Sequence, residues 1–87
     1  MRITIRFPDG SEREFYIDPK KYRSVVEMAE EICAELADEW IAALRGRRRR
    51  RAMAAREAYI EGCMRWLYPQ IVSAIAEKLE EMGYPLG

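Results

Sequence analysis

Arg47, Arg48, Arg49, Arg50 and Arg51 form an unbroken run of five arginines, and no packed helix can hold it. At about 100° per residue, five consecutive positions sweep the whole circumference of a helix. A guanidinium stays charged at any accessible pH, so none of the five belongs in an interior. The run must therefore sit at a protruding end. Gly46, just ahead of it, suits the C-terminal cap of a preceding helix. The chain is expected to turn there, as a helical hairpin with arginines at its tip.

Arg45 and Arg56 flank the run, so seven of the fifteen basic residues fall between positions 45 and 56, in a chain of zero formal net charge. Placing them at a helix start costs a few tenths to about 1 kcal/mol each, because the helix dipole is positive there. Something should offset this, and guanidinium forks fit phosphate and carboxylate. Three readings are open. Arg45, Arg47 to Arg51 and Arg56 bind a polyanion such as nucleic acid; the tip is solvated, with some arginines paired to Asp38, Glu39 and Glu57; or the tip docks onto an acidic protein. The window holds no aromatic residue, so bases have no ring to stack on. Contact with the phosphate backbone, without base reading, is the expectation. The pI of about 6.3 is low for a dedicated nucleic-acid domain.

Ahead of the tip, residues 2–7 alternate: Ile3, Ile5 and Phe7 on one side, Arg2, Thr4 and Arg6 on the other, which is strand periodicity. Pro8-Asp9-Gly10 is a turn signal, and alternation resumes with Phe15 and Ile17. The turn chemistry favours a register with Phe7 opposite Ser11; charge pairing favours Arg6 opposite Glu14. Both put Ile3, Ile5, Phe7, Phe15 and Ile17 on one face. A lone hairpin is marginal in water, so that face needs helices. Asp18-Pro19 offers a cap followed by proline, and Ser24 with Glu27 a capping box. Val25, Met28, Ala29, Ile32, Cys33, Leu36, Trp40 and Leu44 then recur at helical spacing, predicting a helix over about 24–45. A second is expected over about 48–67, carried by Ala52, Ala55, Tyr59, Cys63, Trp66 and Leu67. A third is expected over about 69–82, started or kinked by Pro69 and stopped by Gly83-Tyr84-Pro85. The fold expected is α+β: an N-terminal β-hairpin packed on an antiparallel helical hairpin, plus a third helical segment after Pro69. Its 87 residues make one domain.

Trp40 and Trp66 continue the apolar stripes and read as core. If the helical hairpin turns near residue 47, Cys33 lies within one turn of Cys63. A disulfide is then conceivable, although two buried thiols packing as small hydrophobes is the expectation in a reducing compartment. Ala37, Ile41, Ala42 and Ala43 widen the first stripe, and Ile60, Met64 and Tyr68 the second. That is more apolar surface than a hairpin covers, and a homodimer is the simplest remedy, a different partner protein the next.

Arg2-Ile3-Thr4-Ile5-Arg6 resembles the strand of ribbon-helix-helix repressors, but Pro8-Asp9-Gly10 leads into a second strand where those proteins enter a helix. Hairpin followed by helix also looks like the start of a β-grasp domain, whose later strands have no counterpart after Gly46. Histidine is absent, which removes the usual base and metal ligand near neutrality. The row Glu27, Glu31, Glu35 reads as a solvated face, because like charges at that spacing repel. No catalytic residue, metal or cofactor is expected. Met1 opens directly into a strand pattern, unlike a signal peptide, and the longest uncharged run, Trp66 to Ala76, spans eleven residues, too few to cross a bilayer. A soluble, cytoplasmic, non-enzymatic binding module is expected, contacting a polyanion through its tip. The alternatives are a protein-interaction or inhibitor module docking through its apolar helix faces, and a designed chain without a biological task. Twelve arginines to three lysines and no asparagine fit a GC-rich genome, a thermophile avoiding labile amides or a designed chain alike.

Overall fold

A computed structural model of the chain describes residues 1–83; Tyr84 and Pro85, read above as part of the helix stop, lie outside them. Strands β1 (Arg2–Arg6) and β2 (Glu12–Tyr16) form an antiparallel hairpin with Arg6 opposite Glu12 and Arg2 opposite Tyr16. The turn decided the register, not the charges. Asp9 Oδ1 accepts from the Ser11 amide at 2.9 Å, Phe7 N–H donates to the Ser11 carbonyl at 2.8 Å, and Gly10 takes a φ of 90°, which a Cβ would resist. Charge pairing adapts to that register, with Arg6 reaching Glu12 at 2.8 Å.

After a short 3₁₀ turn (Pro19–Lys21), capped by Asp18, come helices α1 (Val25–Ala42), α2 (Gly46–Ala54), α3 (Arg56–Trp66) and α4 (Tyr68–Glu81). Ser24 accepts from the Glu27 amide at the start of α1, satisfying one of the helix's orphan donors, and Glu27 accepts in turn from the Arg23 amide just ahead of the cap. Pro69 lies in the first turn of α4, where its missing N–H costs nothing. Ile3, Ile5, Phe15 and Ile17 meet Met28, Ala29, Ile32, Cys33 and Leu36 of α1, Cys63 of α3, and Ile71, Ile75 and Leu79 of α4 in one buried cluster. Helix α4 packs on β1 and α1, and α1 packs on α3. The α+β fold with an N-terminal hairpin is as expected. Phe7, placed on the buried face, is only half-buried.

Four expectations are corrected. Gly46 does not cap α1, which ends at Ala42 and is closed by Ala43 N–H bonding to the Glu39 and Trp40 carbonyls; Gly46, at φ 63°, opens α2. The helix expected over 48–67 is two, bent at Ala55 (φ −96°, ψ 7°). Its two anchors differ: Ala52 is the one buried residue of α2, whereas α3 is tied down at Cys63. Cys33 and Cys63 are not thiols but a disulfide, with Cα atoms 5.7 Å apart, so the hairpin geometry was right and the chemistry was not.

The tryptophans are the fourth. Trp66 is 79% exposed. Ile60 and Cys63 of α3, with Leu67 just after it, centre its apolar face, and at 100° per residue Trp66 lies about 90° off that centre. Trp40 is 36% exposed and stacks on Tyr59, ring centroids 4.8 Å apart. It covers the core edge and does not fill it.

Candidate functional site

Helix α2 carries the arginine run in its first turn and a half, as residues 47–51 of the helix Gly46–Ala54. All five are exposed, and so is Arg45, the N-cap residue. Exposure follows from the small anchor: α2 buries only Ala52, so the rest of its circumference is open to solvent. The first amides of a helix lack internal partners. Here no side chain caps them, and the first turn holds no acidic residue. Backbone donors and guanidinium groups therefore face outward from the same end.

The seven arginines singled out in the sequence separate into two sets. Arg56 is engaged: its Nε lies 2.9 Å from Asp38 Oδ1 across the α1–α3 pair. The guanidinium hydrogen bond holds the Asp38 carboxyl below its usual range, and the Arg56 pKa is raised by the same bond. Glu57 reaches Arg56 only at 4.0 Å. Arg45 and Arg47 to Arg51 make no salt bridge among the described residues. Glu39, expected as a tip partner, instead takes Arg13 from the hairpin in a two-pronged pair, with Nη1 to Oε2 at 2.7 Å. That pair lowers the Glu39 pKa and pins β2 to the far half of α1.

Asp38 is thus taken by Arg56 and Glu39 by Arg13, and six guanidiniums project from one short helix end with no salt bridge among the described residues. Arginines crowded on one helix end repel one another, an effect weakened by solvation and salt. A polyanion relieves that repulsion and the dipole conflict together. Sequence reasoning missed Trp66, because helical periodicity alone reads it as core. Its place as the last residue of α3, immediately before the Leu67 break, is visible only in the structure.

No helix among the described residues is long and apolar enough to cross a membrane. Comparison with protein-family models, with curated proteins and with solved structures gave no match.

Proposed function

We propose that the chain is a small non-enzymatic binding module, working as a homodimer, that grips the backbone of a polyanion such as nucleic acid with its arginine tip. The observation that carries this reading is the set of six arginines, Arg45 and Arg47 to Arg51, exposed at the start of α2 without a carboxylate partner among the described residues. The tip has charge and amide donors but no aromatic ring in its window, so it grips phosphates and reads no bases. The absence of histidine from the chain fits binding better than acid–base chemistry. Replacing Arg47 to Arg51 with serine tests the reading. Heparin retention and DNA binding at low salt should be lost while the circular-dichroism spectrum is kept; a serine variant that binds as the wild type does would sink it.

Exposed apolar side chains support pairing with a second copy, Trp66 foremost at 79% exposure. The same exposure favours a second reading, a module that docks a partner protein on this ring with the arginines only steering. Light scattering separates the two: a dimer lost on Trp66→Ser supports the first, and a monomer at tens of micromolar the second. The cytoplasmic setting belongs to this proposal too. Disulfides persist best in oxidising surroundings, so a thiol assay on protein taken directly from reducing cytosol decides in which state of Cys33 and Cys63 the module works.

A further inference from the structure

Helices α1 and α3 leave a groove between them on the face that carries the opposite charge. Two adjoining hollows, of about 480 and about 410 Å³, share Glu30, Glu57 and Ile60 in their walls. Glu27, Glu30 and Glu31 rise from α1, and Glu57 and Glu61 from α3, while Ile60 and Met64 supply an apolar floor. Lys21 is the one basic residue in the lining. Among the described residues, Glu27, Glu30, Glu31 and Glu61 form no salt bridge, although Glu27 accepts from the Arg23 amide.

A neutral chain thus holds a largely unpaired cluster of each sign, and although Arg56 comes within 4.0 Å of Glu57 on the α3 wall, one molecule cannot bring its arginine run onto the α1 wall. From Glu31 to the end of α1 at Ala42 is eleven residues, about 16 Å at 1.5 Å each, and the arginines start beyond that end. Two molecules can. The arginine helix also fits the groove in its apolar part. Met53, 58% exposed, follows the run on α2 and can rest on Ile60 and Met64, while arginines meet the glutamate walls; a charged helix lying in an apolar-floored groove is a recurrent docking mode.

We infer that the α1–α3 groove receives the arginine helix of a second copy of this chain, joining molecules head to tail. The contact is heterologous, so each added copy leaves one tip and one groove open, and assembly grows with concentration. It is distinct from apolar pairing through Trp66 and does not rest on the polyanion reading, although a polyanion competes for the same arginines.

Sedimentation velocity tests this, because screening lengths fall from about 30 Å at 0.01 M salt to about 3 Å at 1 M. The wild type should grow in mass with concentration in the first condition and lose that growth in the second. Two variants divide the contact. Replacing Arg47 to Arg51 with serine removes the tip, and Glu30→Gln, Glu31→Gln, Glu57→Gln and Glu61→Gln together remove the groove walls. All nine positions are exposed, so both variants should fold. Neither alone should grow beyond a pair joined through Trp66, yet mixed together they should associate further, because each retains the half the other lacks. A control with Glu77→Gln, Glu80→Gln and Glu81→Gln removes similar charge from α4 and should self-associate like the wild type. The inference is overturned if the low-salt wild type does not grow, if the groove variant grows like the wild type, if the mixture associates no further than either variant alone, or if the α4 control also fails to grow. A groove variant that still binds DNA would leave the polyanion reading standing through any of those outcomes.

Discussion

Opening the Cys33–Cys63 bond should lower the stability of the whole fold by about 3.6 kcal/mol. The bond closes a loop with a sequence separation of 30 that contains the end of α1, all of α2 and the start of α3. The chain-entropy relation gives about −2.1 − 1.5R ln n cal/mol/K, hence about −12 cal/mol/K for n near 30 and about 3.6 kcal/mol at 25 °C. A chain of 87 residues carries a total of roughly 4–13 kcal/mol at 0.05–0.15 per residue. Reduction therefore removes between about a quarter and nearly all of the margin. At about 4–8 °C per kcal/mol for a domain of this size, Tm should fall by about 15–30 °C. Thermal melts followed by circular dichroism, with and without a phosphine reductant, measure the shift, and thiol titration confirms that both cysteines are free. The Cys33→Ala, Cys63→Ala double variant should match the reduced protein, apart from a small packing loss. A fully reduced protein melting within about 5 °C of the oxidised one would refute the reasoning. In that case residual structure in the unfolded chain already restrains the loop that the bond closes.

The two tryptophans should behave differently. Trp66→Ala should stay within about 0.5 kcal/mol of the wild type, as exposed substitutions do, whereas Trp40→Ala should cost about 1–2 kcal/mol through the lost stack on Tyr59 and its covered area; urea melts of both decide. Glu39 and Asp38 are each held below their usual pKa by a hydrogen-bonded arginine. Their stabilisation is therefore complete above the unfolded-chain values near pH 4 and fades as pH falls through the lower folded values. The Tm gap between the wild type and Glu39→Gln should accordingly shrink below about pH 4, and a gap constant down to pH 2 would contradict the Arg13 pair. The Arg47 to Arg51 serine variant should melt at the same temperature as the wild type or slightly above it, since dipole conflict and mutual repulsion are relieved; a clear drop in a calorimetric scan would make the arginines structural.

What could be read from the sequence divides by the range of the interaction. The hairpin was legible because Pro8-Asp9-Gly10 and the alternation of Ile3, Ile5, Phe15 and Ile17 are local, and the turn outranked the charges in setting the register. Ser24 with Glu27, and Pro69, marked helix starts for the same reason. The approach of Cys33 to Cys63 followed from helix rise alone, but whether they bond depends on geometry finer than a turn. The bend at Ala55 was not legible. The segment Ala52-Met53-Ala54-Ala55 has no glycine or proline, and the bend separates anchors that belong to different partners. The Trp66 reading failed because a period of three and four leaves a flank position indistinguishable from a face position until the neighbours are known. At the tip, the sequence showed that the arginines protrude, but only the structure showed that Arg56 is spent on Asp38 and Glu39 on Arg13.

The most direct test of the arginine tip is the salt dependence of its affinity for duplex DNA. Each phosphate neutralised on duplex DNA releases condensed counterion and adds about −0.9 to the slope of log K against log salt. With four to six of the six unpaired arginines engaged, fluorescence anisotropy on labelled duplexes of unrelated sequence should give slopes of about −3.6 to −5.4, the same for each duplex. The Arg47 to Arg51 serine variant should show no measurable binding. No binding by the wild type at low salt, or affinity that varies little with salt but strongly with base sequence, would contradict the account.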